Sequence, residues 1–259
     1  MAVYTTVDDL TLAAFLSAYD LGNVLSFAGI AEGVENSNYL LRTDKANYIL
    51  TLYEKRVEAD DLPFFMEVMT HLASKGMSCP LPVATRDGSI LQELMGRPCA
   101  VFSFLDGTSS RYPNREKCRA LGTSLAEMHL HASGVARRRP NALGPQSWQP
   151  LLDSVGIRAD EIAPSMQAMA QTRLSSILAA WPQDLPQGVI HADLFPNNVL
   201  FIGDQLTGLI DFYFACDDIF AYDFGICLNS WCFEADGSFN ITKSRSLIRG
   251  YQAVRPLSD

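Results

Sequence analysis

Between residues 190 and 211 the chain reads IHADLFPNNVLFIGDQLTGLID, and no other stretch constrains the fold as much. Two short apolar runs, Val199 to Ile202 and Leu206 to Ile210, flank the turn 203-GDQ-205. That pattern predicts an antiparallel hairpin. In such a pair the residue entering one strand lies beside the residue leaving its partner, so Asn198 is placed next to Asp211. Asp193 reaches the same region from the loop. The plainer alternative is a polar loop with one Asx turn and a chance aspartate.

The residue types suit one chemistry. An amide oxygen and a carboxylate converging on one point make a hard-cation site, fitted to Mg²⁺ with substrate phosphates completing the shell. The spacing H-x-D-x-x-x-x-N, a short hairpin and an apolar run ending in D-F is the arrangement of a protein-kinase-like catalytic centre. Phosphoryl transfer to a hydroxyl needs an acceptor that orients and deprotonates it, here Asp193. It needs metal ligands that neutralise phosphate charge, here Asn198 and Asp211. A loop this short supplies preorganisation.

Composition narrows the partners. The chain has 259 residues, 48% hydrophobic and 19% charged, enough for one large domain or two lobes. A net charge of −9 argues against nucleic acid, whose binders carry a basic footprint. The run 137-RRR-139 beside Pro140 is expected to be a solvated loop. The six cysteines form no CxxC pair and several sit in apolar runs, so buried, reduced thiols are expected. No basic leader and no apolar run near ~18 residues occur, so a cytoplasmic protein without membrane partners is expected. The ending 255-RPLSD-259 puts Ser258 or Asp259 where a helix cap would stand, which reads as a fragment lacking C-terminal chain.

The pattern along the chain predicts two lobes. A helix over 10–19 follows Asp8 and Asp9, and strands are expected at 24–30, 37–43 and 47–53. Residues 60–76 form a helix signed at both ends by aspartate and glycine. A hairpin of 89–95 and 98–104 closes the first lobe, with a hinge near Phe104 to Gly107. Beyond it, helices are expected at 114–133, 151–158, 164–181 and from about 222, with 134–150 as loop. The fold class is α+β, with an antiparallel nucleotide-binding lobe (1–104) and a helical catalytic lobe (105–259). The loop 31-AEGVENS-37 would fold over a triphosphate, which assigns ATP contacts to Gly33, Ser37 and Asn38, with Ser103 and Leu105 at the hinge.

The segments 35-ENSNYLLRT-43, 47-NYILTLYEKR-56, 61-DLPFFMEVMTHLASKGMSCPLPV-83, 190-IHADLFPNNVLF-201, 208-GLIDFYFACDD-218 and 229-NSWCFE-234 resemble the aminoglycoside phosphotransferase and choline kinase superfamily. Within it they are similar to the bacterial homoserine kinases built on that fold. The resemblance implies ATP- and Mg²⁺-dependent phosphorylation of the L-homoserine side-chain hydroxyl, for threonine synthesis. It matches Asp193 to the catalytic base, Asn198 and Asp211 to the metal ligands, and Asp223 to an aspartate bracing the catalytic loop. His191 is assigned to structural support.

One position departs from that pattern. Where such kinases place a basic residue on the third strand, this chain has Thr51, with Lys55 four residues on. Glu67 matches the usual helix partner of that residue. Two other readings stand beside the first: a kinase of the same fold acting on another small alcohol (an amino alcohol, aminoglycoside or sugar), and a non-catalytic nucleotide-binding module. If the acceptor carries a carboxylate, Arg111, Arg137, Arg138, Arg139 and Arg158 are its candidate partners, and the sequence does not choose among them. Ile241, Leu247, Ile248, Tyr251 and Val254 recur at near-helical spacing, and part of that face is expected to lack cover.

Overall fold

Asp8 accepts a hydrogen bond from the Thr11 N–H, and this cap starts the first helix, α1 (Asp9–Leu16), in a computed structural model that describes residues 4–31, 36–54 and 57–257. Only Leu12 of α1 is buried, so the apolar periodicity expected there overstated its packing. Strands β1 (Val24–Gly29), β2 (Ser37–Thr43) and β3 (Asn47–Leu52) follow, as the alternation predicts. In β2 the residues Ser37, Tyr39, Leu41 and Thr43 are buried and their neighbours are more open, the period-2 signature of a half-covered sheet.

Helix α2 (Leu62–Ser74) buries Phe64, Phe65, Val68, Met69 and Leu72. Gly76 ends it with φ +86°, a left-handed conformation that glycine adopts without a Cβ penalty. Asp61 precedes α2 but its side chain does not cap it. Then come β4 (Pro82–Val83), β5 (Gln92–Leu94) and β6 (Arg97–Ser103). Met95 and Gly96 both have positive φ in the turn between β5 and β6, the backbone hand that matches strand twist. The sheet order is β1-β2-β3-β6-β4, with β5 also paired to β6. Two-residue β4 was too short to leave a sequence signal.

The second lobe is mostly helical. Asn114 caps α3 (Arg115–His131) by accepting from Lys117 N–H. Helices α4 (Pro145–Val155) and α5 (Met166–Ala179) follow. The expected loop therefore ends near residue 144, because Pro145 opens a helix at a position that tolerates proline. Strand β7 (Gln187–Ile190), the hairpin β8 (Val199–Ile202) and β9 (Gln205–Leu209), and β10 (Cys216–Ile219) precede α6 (Phe220–Trp231) and α7 (Ile241–Val254). β10 pairs antiparallel with β7, a pairing the polar string CDDI did not announce.

Two cores organise the molecule. One face of the sheet packs Tyr39, Leu41, Leu50, Leu52 and Val101 under α1. The other face joins α2 and runs on through Leu121, Leu125, Trp231, Leu247 and Tyr251. Each such buried side chain contributes about 1.5–3 kcal/mol. α7 lies tight on α3: a Cβ at Gly122 would sit 2.1 Å from Leu247 O, and one at Gly250 would sit 2.1 Å from Arg119 O. Leu247 and Tyr251 are consequently buried, so most of the α7 stripe is covered within the chain, while Ile241 stays 56% exposed. All six cysteines are buried and free. Among the described residues no helix is long and apolar enough to cross a membrane.

Candidate active site

The hairpin forms, but one step out of the register the sequence suggested: Asn198 lies opposite Ile210, Asp211 comes one residue later, and the pairing shifts between Leu200 and Phe201. Val199 pairs with Leu209, and the ladder extends one step as Ile210 N–H donates to Asn198 O at 3.0 Å. Asp211 follows with φ +67° and ψ +60°, a left-handed conformation rarely held by a residue with a side chain. Non-glycine residues in that region cost of order 1–3 kcal/mol and cluster at functional sites. The hinge is stitched to this hairpin. Thr108 and Phe201 exchange backbone hydrogen bonds at 3.0 Å in each direction, and Thr207 Oγ1 donates to Asp106 O at 2.6 Å. Gly107 has φ +129°, and a Cβ there would meet Thr207 Oγ1 at 2.5 Å.

Asn198 faces Asp193. Its Nδ2 donates to Asp193 O at 2.8 Å and to Asp193 Oδ2 at 2.7 Å. Both amide protons are spent on one residue, which leaves Oδ1 as the acceptor end of a buried side chain. An amide oxygen so turned, at the hairpin end where Asp211 leaves β9, supplies together with that carboxylate the donor types a hard cation takes.

The segment before Asp193 is held from behind. His191 N–H donates to Asp223 Oδ2 at 2.8 Å and Ala192 N–H donates to Asp223 Oδ1 at 3.0 Å. Asp223 sits in the first turn of α6 and is fully buried. Burial pushes its carboxyl up, but hydrogen bonding to His129, the His129 and His191 rings and the backbone N–H of His191 outweigh burial and hold it below the usual range. His129 Nε2 lies 3.1 Å from Asp223 Oδ2, and its Nδ1 lies 2.8 Å from Tyr251 Oη. Neither His129 nor Tyr251 was found from sequence, since a lone histidine on a helix carries no signal of its own. Burial pulls the His191 ring down to about 4, so it is neutral, with Nε2 3.1 Å from Ile210 O. His191 thus ties the loop before Asp193 to the end of β9.

The nucleotide assignments fare unevenly. Ser37 is completely buried, and its hydroxyl accepts from Tyr4 and Thr5 N–H and donates to Glu54. Its side chain serves the fold of the first lobe, which corrects its assignment to ATP. Ser103 exchanges hydrogen bonds with Leu81 through both its N–H and its hydroxyl, and this occupies the side chain assigned to the nucleotide. Asn38 is half-buried, and its Oδ1 accepts from Thr51 Oγ1 at 2.7 Å. Leu105 packs against Gly208, where a Cβ would lie 2.6 Å from its Cδ1. Gly33 and Lys55 lie outside the described residues, as do Ser258 and Asp259.

Thr51 is buried, so no basic side chain stands at that point of β3. Glu67 has another task. Its Oε1 accepts from Ala136 N–H at 2.6 Å and from Arg137 N–H at 3.3 Å, and its Oε2 pairs with Arg137 Nε at 3.2 Å. Helix α2 therefore braces the 136–139 loop.

Beside Ala192 opens a cavity of about 350 Å³, lined among others by Val57, Arg139, Asn141, Tyr213 and Tyr222. The expected solvated arginine run splits here. Arg137 and Arg138 have side chains 60% and 61% exposed, whereas Arg139 is only 18% exposed. The reason is a set of partners that no local pattern could announce, Asp61 foremost.

Comparison with known proteins follows this geometry. A family model described as phosphotransferase enzyme family matches residues 26–257. The chain is 59% identical to a homoserine kinase of Allorhizobium ampelinum over 258 residues, covering 100% of this chain and 80% of that protein. A homoserine kinase of Rhizobium meliloti is 57% identical over 258 residues, covering 100% of this chain and 79% of that one. Among solved structures, an amicoumacin kinase in complex with AMP-PNP and Ca²⁺ superposes with a TM-score of 0.76 at 17% identity, covering 97% of this chain and 79% of its own. A spectinomycin phosphotransferase reaches 0.74 at 13% identity, covering 95% and 80%. These two share the fold, two-lobed and protein-kinase-like.

Proposed function

This chain belongs to the phosphotransferase enzyme family, and we propose that it transfers the γ-phosphoryl group of ATP to the side-chain hydroxyl of L-homoserine. The product is O-phospho-L-homoserine, an intermediate of threonine biosynthesis. The observation that carries the choice of acceptor is the full-length likeness to bacterial homoserine kinases.

In this reading residues 1–104 form the nucleotide lobe and 105–259 the catalytic lobe. Asp193 accepts the proton of the homoserine hydroxyl as that oxygen bonds to the γ-phosphorus and the bond to the ADP oxygen breaks. Asn198 orients Asp193 through the two bonds from Nδ2. Asn198 Oδ1 and the Asp211 carboxylate would hold Mg²⁺, which neutralises charge on the β- and γ-phosphates when bound. Asp223 and His191 keep the loop in place. With buried Thr51 in place of a basic residue, β3 offers the nucleotide no cation at that position. Buried free cysteines suit a reducing compartment, and we place the reaction in the cytoplasm.

A coupled ADP-release assay with Mg-ATP over a panel of small alcohols tests the proposal. Turnover of homoserine far above that of other amino alcohols and aminoglycosides is the expected result. Equal or better turnover of a different alcohol would overturn the acceptor, and no ADP release with any of them would overturn the kinase reading itself.

A further inference from the structure

We propose that Arg139 is the receptor for the substrate's α-carboxylate, and so the residue that makes the acceptor site specific for an amino acid rather than an amino alcohol. The inference rests on the homoserine reading above. Five arginines could have played this part by sequence. Arg111 and Arg158 are exposed and line no part of the cavity, and Arg137 and Arg138 are turned to Glu67 and Asp217 on the surface. Arg139 alone among the five lines the cavity next to Ala192, one residue from Asp193.

The guanidinium is held before any substrate arrives. Its Nε donates to Asp61 Oδ2 at 2.6 Å, its Nη1 donates to Ala215 O at 3.1 Å, and its carbon lies 5.1 Å from the centre of the Phe65 ring. The backbone is fixed as well. Arg139 N–H donates to Asp217 Oδ2 at 2.9 Å and Asp217 N–H donates to Arg139 O at 2.7 Å, with Pro140 bridged to the same residue. Among the described residues nothing takes the second proton on Nη1 or the two on Nη2. Those remaining protons are enough for the two hydrogen bonds a carboxylate accepts from a guanidinium. A fork already packed and oriented loses little freedom on binding.

The Asp61 pair does not cancel this role. It engages Nε, and with Ala215 O on Nη1 three guanidinium protons remain for a carboxylate in the cavity that Arg139 lines. The start of α2 contributes twice to the arrangement, Asp61 just before the helix to the guanidinium and Glu67 within it to the loop carrying Arg139. The helix that faces a strand lysine in the implied pattern is tied here to the acceptor site instead.

The test compares L-homoserine with 3-amino-1-propanol, which keeps the hydroxyl, the ammonium and their spacing but has no carboxylate. Wild-type enzyme is expected to prefer homoserine in kcat/KM by about 10³-fold or more, as sites built to pair a polar group reject analogues lacking it. Arg139→Gln is expected to raise the KM for homoserine by about 10²-fold while leaving the KM for ATP and the turnover of 3-amino-1-propanol within about three-fold, so the preference collapses. Arg139→Lys keeps the charge without the fork and should fall between the two. Equal losses on both acceptors would make Arg139 a structural residue and overturn the proposal. So would a wild-type enzyme that phosphorylates homoserine without preferring it, a result that needs no variant to fold. Absence of homoserine turnover by the wild type would instead overturn the acceptor reading and this inference with it.

Discussion

The hairpin of β8 and β9 and the cavity beside Ala192 adjoin one another but are assembled in opposite ways. Asp193, Asn198 and Asp211 belong to one continuous stretch, and backbone hydrogen bonding within that stretch brings them together. The cavity adds Val57 and Arg139, from segments far away in the chain, to Ala192, Tyr213 and Tyr222 beside that stretch, and only their approach makes a site. The difference separates two duties. A phosphoryl-transfer centre needs the same few groups whatever the acceptor, so it can be a self-contained local device. Acceptor recognition needs a shape and charge particular to one molecule, and that can be changed segment by segment without disturbing the hairpin.

The largest effect expected tests the hairpin side of this contrast. Asp193→Asn should lower kcat by about 10²–10⁴-fold, the usual range for a lost general base, with KM for ATP and homoserine within a few-fold of wild type. Steady-state kinetics with both substrates checks it. A variant keeping more than about a tenth of kcat, or one whose defect lay in KM, would dissolve the division between chemistry and recognition.

Next in size is the brace behind the loop. Asp223→Ala leaves two backbone N–H groups and the His129 ring without their carboxylate partner in a fully buried place. Stranding such groups costs about 3–5 kcal/mol, which lowers the melting temperature by roughly 10 °C in a chain of this size. Calorimetry reads it directly. An unchanged melt would mean that the hairpin region stands without α6 and is self-contained to a still greater degree.

His191 gives a pH-resolved version of the same question. Its folded pKa is depressed by burial to about 4, against 6.5 for a free imidazole. The unfolded chain therefore takes up this proton first as pH falls, and stability drops between about 6.5 and about 4, on the order of 3 kcal/mol in total. Asp223 works in a lower window. Its carboxyl is held below the ordinary value, so its contribution is present above the unfolded carboxylate range and is lost only as pH falls through its folded pKa. Thermal melts of His191→Gln should lose less stability than wild type between about pH 7 and about pH 5. Parallel curves for the two proteins would remove His191 from the account.

The smallest effect belongs to the cavity. Tyr222 lines it, and burial followed by the charge of Asp218 raises its phenol, which keeps the hydroxyl a donor at neutral pH. Tyr222→Phe should raise the KM for homoserine by about two- to ten-fold, the worth of one hydrogen bond, with kcat nearly unchanged. A fall in kcat with KM constant would put Tyr222 with the hairpin chemistry instead.

Alternation alone placed β1, β2, β3 and the hairpin, because strand pairing with a short turn is a property of adjacent residues. The same locality brings Asn198 and Asp211 to one end of the hairpin, although the ladder sets Asn198 opposite Ile210 and not opposite Asp211. Sequence could not say that Ser37 and Ser103 spend their hydroxyls inside the first lobe, since a serine in a polar loop and one sealed under Tyr4 and Glu54 look alike in a string. Nor could it tell Arg139 from the two arginines before it. Burial and ionic pairing are decided by which distant backbone comes near, and for Arg139 that was Asp61 just before α2 and Asp217 on β10. What contiguous residues determine is the catalytic device and the periodic elements that hold it. Tertiary structure alone decided which charges are exposed and which are enclosed, because solvent is excluded by the whole fold and not by any one segment.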